Sequence, residues 1–298
     1  MRDDLHEVVA LLRSAELVDI GEQALALEDM KSGWNRPGFD LAADARVLHA
    51  DGELVAYAEM FAGRMWGTVA PNARGRGLGS GVLSWLEQRA CEQARAQGLP
   101  GMRIGQTQAS TAHGSIALLQ SRGYTPLYTA WSLQLPPEVE LSAIAAPSGI
   151  RIDPLRAGQE RSVYEVIERA FSEWPGRSPQ SFDGWRAFTV DRADFDPGLT
   201  FVALAADGAV VGAVYGIHYP SDGWVQHLAV AVEHRRRGIA RALLATVFSE
   251  LRRRGETRLG LGTDSRTGAL DLYTRLGMEV ERSFQHWSKW LEVTVERA

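Results

Sequence analysis

One six-residue pattern occurs twice in this chain, as Arg74-Gly75-Arg76-Gly77-Leu78-Gly79 and as Arg235-Arg236-Arg237-Gly238-Ile239-Ala240, with Gly77 and Gly238 161 positions apart. Each copy follows a short β-type run and opens an apolar-periodic helix: Val82, Leu86, Ala90 and Ala94 recur after the first, Ile239, Leu243, Val247 and Leu251 after the second. A repeat of this length is a whole domain rather than a short motif, so the chain is expected to fold as two related α/β units. Its 298 residues, 45% of them hydrophobic, suffice for two cores.

The pattern also has a chemistry. A helix that starts at a glycine leaves a row of backbone N–H groups bare, the helix dipole favours negative charge there, and small residues let an anion approach the main chain. Arginines beside it strengthen the attraction, and a diphosphate is the expected ligand. Nucleotide hydrolysis lacks its anchor, because the only lysines are Lys31 and Lys289 and neither follows a Gly-rich loop. The dinucleotide fingerprint fails as well: Ser80 stands where its last small residue would fall, and the second copy begins with three arginines.

A second repeat supports the duplication. His113-Gly114-Ser115-Ile116-Ala117-Leu118-Leu119-Gln120-Ser121-Arg122-Gly123-Tyr124 aligns without gaps on Thr267-Gly268-Ala269-Leu270-Asp271-Leu272-Tyr273-Thr274-Arg275-Leu276-Gly277-Met278, 154 positions on. Trp131-Ser132 and Trp287-Ser288 fall at similar places in later strand-like runs.

Periodicity predicts helices over residues 3–14 and 20–31, a hairpin of 45–50 and 53–62, a strand over 64–70 entering the first loop, then the Leu78 helix, a strand near 101–106, a helix over 114–122 and a strand over 126–135. Residues 136–149, rich in proline and small side chains, read as a linker. The second half repeats the order: a strand over 150–152, helices over 158–172 and 179–192, a hairpin of 200–218, a strand over 223–232, the Ile239 helix, a strand over 257–262, the Tyr273 helix and a strand over 279–291.

Composition removes several classes. A net charge of −5 argues against a nucleic-acid footprint, no run of about 18 apolar residues offers a membrane span, and the N-terminus lacks a secretory apolar core, so a cytoplasmic location is expected. The single cysteine, Cys91, leaves no disulfide framework, and no metal-ligand spacing or Gly-x-Ser-x-Gly elbow occurs.

The loop pattern Arg-x-x-Gly-x-Gly/Ala, with the Thr267–Met278 segment and its closing Leu-Gly, resembles the acyl-CoA pyrophosphate loop and second cofactor segment of the GNAT superfamily of N-acyltransferases. The resemblance covers both halves and implies two tandem GNAT-like α/β domains, each a mixed, largely antiparallel central sheet flanked by helices. The domains would be 1–135, worn and with the opening strand of the superfamily absent or shortened, and 150–298, catalytic, joined by 136–149. The implied cofactor is acetyl-CoA or another short acyl-CoA, held by Leu228, Ala229, Val230, Arg235, Arg236, Arg237, Gly238, Ile239, Ala240 and Arg241. Val69, Arg74, Gly75, Arg76, Gly77, Leu78, Gly79 and Ser80 are the matching set in the first half, either a non-productive site or a loop kept as structure.

In the superfamily's mechanism the amine attacks the thioester directly, a main-chain N–H on the splayed strand holds the oxyanion, and a tyrosine protonates the leaving thiolate. Tyr273 stands at that tyrosine position, and Leu119, its counterpart in the first half, has no proton to give. Two candidates serve as general base, His227 on the strand and Glu173 in the turn after the first helix. Trp174, Trp185, Trp224, Asp183 and Asp222 are candidate acceptor contacts. The implied acceptor is a small-molecule primary amine, with no nucleic acid, membrane or metal, and the oligomeric state stays open. An acyl-CoA sensor without turnover and an interaction protein are the alternatives to an enzyme.

Overall fold

The computed structural model describes residues 4–141, 144–174, 179–219 and 222–293. Two compact units emerge, Met1–Ala130 with Arg282–Ala298, and Trp131–Glu281.

The first unit begins with helix α1 (Leu5–Ile20), which buries Val8, Val9, Leu11, Leu12 and Ala15, a set spaced to cover one helical face. It runs past the expected end at residue 14 because nothing breaks it until Gly21, whose φ of 81° closes the helix in the left-handed region. The predicted helix over 20–31 is therefore displaced. Glu16 accepts from the amides of Ala24 and Leu25, holding an extended connection, and α2 spans Leu27–Trp34. α3 (Leu41–Asp44) is capped by the Asp40 carboxylate. Strands β1 (Ala45–Ala50), β2 (Glu53–Phe61) and β3 (Arg64–Val69), helix α4 (Leu78–Ala96), strand β4 (Gly101–Ala109) and helix α5 (His113–Ser121) follow. No strand precedes α1 among the described residues.

Alternation along β2 separates two cores. Val55 and Tyr57 pack with α1 and α2, while Ala58 and Met60 pack with Leu83, Leu86 and Ala90 of α4. The strand order is β1-β2-β3-β4-β11. The last of these is β11 (Glu279–Glu292), antiparallel to β4 from Phe284 opposite Ala109 to Glu292 opposite Gly101.

The second unit starts within β5 (Thr125–Leu135), whose Leu133 and Leu135 join its core. It continues through β6 (Arg151–Pro154), α6 (Glu160–Phe171), α7 (Phe182–Ala187), β7 (Thr200–Leu204), β8 (Val210–His218), β9 (Gly223–Val230), α8 (Ile239–Arg253), β10 (Leu259–Asp264) and α9 (Leu270–Thr274). The order is β5-β10-β9-β8-β7-β6, antiparallel from β6 to β9 and parallel between β9 and β10. α8 covers one face with Leu243, Leu244, Val247 and Leu251, and α6 and α7 cover the other with Val163, Ile167 and Trp185. The helix expected over 179–192 is cut to α7, since the chain turns after Ala187 with the Asp191 amide returning to the Arg186 carbonyl.

Two departures from the sequence reading concern the boundary. Both final strands cross it: residues 131–135 belong to the second unit and 282–292 to the first, so the compact units exchange the strands that the Pro-rich boundary at 136–149 assigns the other way. The start of that linker is also held down. Arg252 of α8 donates to the carbonyls of Pro136, Pro137 and Val139. Among the described residues, no helix is long and apolar enough to cross a membrane.

Candidate active site

The two repeated loops adopt one conformation. Each follows a single 3₁₀ turn, Pro71–Ala73 or Val232–His234, and passes an extended arginine, Arg74 or Arg235, with ψ of 159° or 165°. Next comes a left-handed residue, Gly75 at φ 76° or Arg236 at φ 60°, and then a second, Gly77 at 82° or Gly238 at 88°, which starts the helix. Among the described residues no side chain caps α4 or α8. A Cβ on Gly75, Gly77 or Gly238 would touch nothing within 4 Å, so backbone conformation rather than crowding selects glycine, and the space above the bare amides is open. A diphosphate fits such a cradle. Arg236 holds its left-handed conformation without glycine's freedom, a strained choice.

The first arginine of each loop turns back to its own unit. Arg235 Nε donates to the Val230 carbonyl at 3.1 Å and its Nη1 to Glu173 at 2.6 Å. Arg74 repeats this with the Val69 carbonyl at 3.3 Å and a two-pronged pair to Asp19 at 2.7 and 2.8 Å. These arginines set the loop against the strand end. Asp19 escaped the sequence reading, although it precedes Glu173 by 154 positions, the spacing of the second repeat. Arg237 reaches His234 Nδ1 at 3.0 Å, and Arg236 and Arg241 remain exposed.

Beside the second loop the sheet opens. β9 and β10 pair only from Gly223 opposite Leu259 to Val225 opposite Leu261. Beyond that point β9 carries a bulge: Tyr215 faces His227 and Gly216 faces Val225, so Gln226 is an extra residue. The bulge turns Leu228 and Val230 toward the α8 core and Ala229 toward α6. In the first unit β2 and β3 pair without any shift from Ala56 opposite Val69 to Phe61 opposite Arg64. The sequence reading missed this difference, because nothing in Gln226 itself announces a bulge.

Tyr273 lies on α9, 7% exposed, among Leu276, Met278 and the α8 side chains. Its hydroxyl makes no hydrogen bond among the described residues, so it is not spent on the backbone. Burial pushes its pKa up to about 12. The phenol is raised above its ordinary value near 10, so its stabilising share is whole below pH 10 and is lost as pH rises toward 12. Denaturation midpoints followed from pH 9 to 12 should fall more steeply for the native chain than for Tyr273→Phe, by about 2 kcal/mol over that window. Identical slopes would deny the phenol this environment. Leu119 occupies the matching place in the first unit and is simply core, 3% exposed.

His227 is half-buried on β9, its ring 5.8 Å from Phe171 edge to face and 6.0 Å from Tyr215. Phe171 stacks on Trp174 at 4.4 Å, and the Arg266 guanidinium lies 5.3 Å over Trp174 while gripping Asp264 with two nitrogens. Aromatic rings thus wall the side of β9 that carries His227. The other suggested acceptor contacts disperse. Trp185 is core between Tyr164 and Phe182, Asp222 is buried and bound by Arg258, Trp224 lies against Gly260, and Asp183 is exposed on α7. Residues 175–178 and 220–221, next to Trp174 and Asp222, lie outside the described residues. No group of three or more histidine, cysteine or acidic side chains gathers for a metal among the described residues.

Comparison with known proteins agrees with this architecture. Residues 161–278 match the Acetyltransferase (GNAT) family. The chain is 30% identical to a GCN5-related N-acetyltransferase from Sphaerobacter thermophilus, superposing with a TM-score of 0.78 over 100% of this chain and 96% of that one. A mycothiol acetyltransferase of Geodermatophilus obscurus is 28% identical over 91% of this chain and 89% of its own length. A tandem GNAT protein from the clavulanic acid biosynthesis pathway shares the fold at 17% identity, with a TM-score of 0.69 over 97% of this chain and 95% of its own. The chain belongs to the GNAT superfamily. It is an N-acetyltransferase, and the chemistry of its class is acyl transfer from an acyl-CoA to an amine.

Proposed function

We propose that the second unit moves an acetyl group from acetyl-CoA to a primary amine of a small molecule, and that the first unit performs no chemistry. The observation that carries this reading is the bulged β9, which opens the sheet between a helix N-terminus and a buried phenol that, among the described residues, have no side-chain cap and no bonding partner. The first unit keeps the loop but has an unbulged strand and Leu119. Relatives named mycothiol acetyltransferase support a small molecule as acceptor.

In this reading the amides of Ile239, Ala240 and Arg241 hold the diphosphate, which fixes the donor's thioester along the opening beside β9. The acyl donor supplies an activated carbonyl. His227 takes the proton released by the acceptor's ammonium, freeing the nitrogen lone pair to attack that carbon. A main-chain N–H of β9 beyond the bulge bonds the oxygen as its charge grows. After attack the nitrogen carries a second surplus proton, which it gives up to solvent; as the oxyanion collapses and the C–S bond breaks, the Tyr273 hydroxyl bonds to the sulfur and passes its proton there, and solvent restores it. Glu173 has a different part: bound to Arg235, it steadies the loop as Asp19 does through Arg74.

These assignments separate in a pair of variants. His227→Gln should lower kcat by about 10²-fold at neutral pH, whereas Glu173→Gln should leave kcat within about threefold and raise the KM for acetyl-CoA. The reverse pattern in steady-state rates would exchange the two roles. The reading itself is tested by screening amine acceptors for thiol release from acetyl-CoA, with Arg237→Glu as the loop control. Release that depends on an acceptor and weakens in the control supports it; tight binding with no turnover across the panel makes the protein a sensor.

A further inference from the structure

The first unit has an intact loop, yet the sheet beyond it is tied shut. β3 and β4 pair at Arg64 opposite Gly105 and then diverge, as β9 and β10 do. Across the gap, Gln106 Nε2 donates to the carbonyl of Gly67 at 3.0 Å. Gln106 is 8% exposed and lies against α4, next to the fully buried Ile104 two residues earlier. Gly67 lets the strand lie close to α4. A Cβ there would crowd Val82 at 2.9 Å and Leu86 at 3.1 Å, while Gln106 Oε1 would lie at ordinary contact distance, 3.5 Å.

Sheet register identifies their counterparts. Gly105 opposite Arg64 corresponds to Gly260 opposite Trp224, which sets Gln106 against Leu261; counting past the bulge sets Gly67 against Leu228. Leu261 has no amide to donate across the gap to the main chain at Leu228. A donor with its diphosphate on the loop and its thioester at the strand must run along this opening. In the first unit it would have to break the bridge and leave a buried amide and carbonyl without partners, which is costly.

We propose that Gln106 is a staple that closes the first unit to the acyl-pantetheine arm, so that the chain binds one acyl-CoA despite having two diphosphate loops. The proposal rests on the reading that the second unit binds acyl-CoA. Calorimetric titration with a thioether analogue of acetyl-CoA measures the stoichiometry directly. The native chain should bind one equivalent, and Arg237→Glu should weaken it at least tenfold. Gln106→Leu, which copies the second unit and keeps the volume filled, should bind two equivalents, and Gln106→Ala should agree if the leucine variant folds poorly. Two equivalents in the native chain, or one in both glutamine variants, would overturn the staple. No binding by the native chain would instead sink the reading of the second unit, and a gain from none to one in Gln106→Leu would still establish the staple.

Discussion

Tyr273→Phe is expected to lower kcat about 10²-fold while leaving the KM for acetyl-CoA nearly unchanged. The size follows from the phenol's environment. General acids contribute roughly 10²- to 10⁴-fold, most when their pKa lies near the working pH. Burial pushes Tyr273 up to about 12, so it stays protonated throughout the neutral range but yields its proton reluctantly. A thiol titrates ordinarily near 8.5, so full transfer is uphill and much of the effect must come from a hydrogen bond to the departing sulfur. The low end of the range is therefore expected. Affinity should survive, because the ring's packing among Leu276 and Met278 remains and the diphosphate is held elsewhere. Pre-steady-state acyl transfer is the decisive measurement: an unchanged chemical step in the Phe variant removes Tyr273 from catalysis.

Trp287→Ala should destabilise the protein by about 3–5 kcal/mol, the cost of emptying a large buried aromatic site. Trp287 is 4% exposed and packs with Leu86, Ala90 and Ile104 of the first unit. Where the loss appears matters more than its size. Amide exchange should speed up first along β4, residues 101–109, which is antiparallel to the strand carrying Trp287. Exchange accelerating in β9 and β10 while β4 stays protected would contradict the observed exchange of strands.

Much of this was legible in sequence because it is local. The two loops are specified by glycines in left-handed backbone and by the helix stripes behind them, and Tyr273 by a gapless repeat. Helix ends were less readable: α1 overruns to Gly21 and α7 stops early, each decided by a single capping or turning contact. The pairing of final strands was hidden, because β5 and β11 read as strands wherever they pair, and partner choice is made by cores far away in sequence. The site divided in the same way. Glu173 reads in the sequence as a candidate base, and only its bond to Arg235 sets it beside the loop; the bulge at Gln226 appears only when β8 and β9 are counted against each other. Gln106 did leave a trace, an amide two residues beyond a core isoleucine, but its meaning needs the carbonyl across the gap.

The placement of β11 bears on how the molecule is made. Ribosomal synthesis usually lets an N-terminal domain finish while later residues are still being added. Here the first sheet lacks a member until residue 292 has emerged, so its earlier strands must wait with one edge bare while the entire second half is translated. Birth order gives the leading half no head start, and a ribosome stalled anywhere in the second half would present an unfinished sheet to whatever chaperone is near.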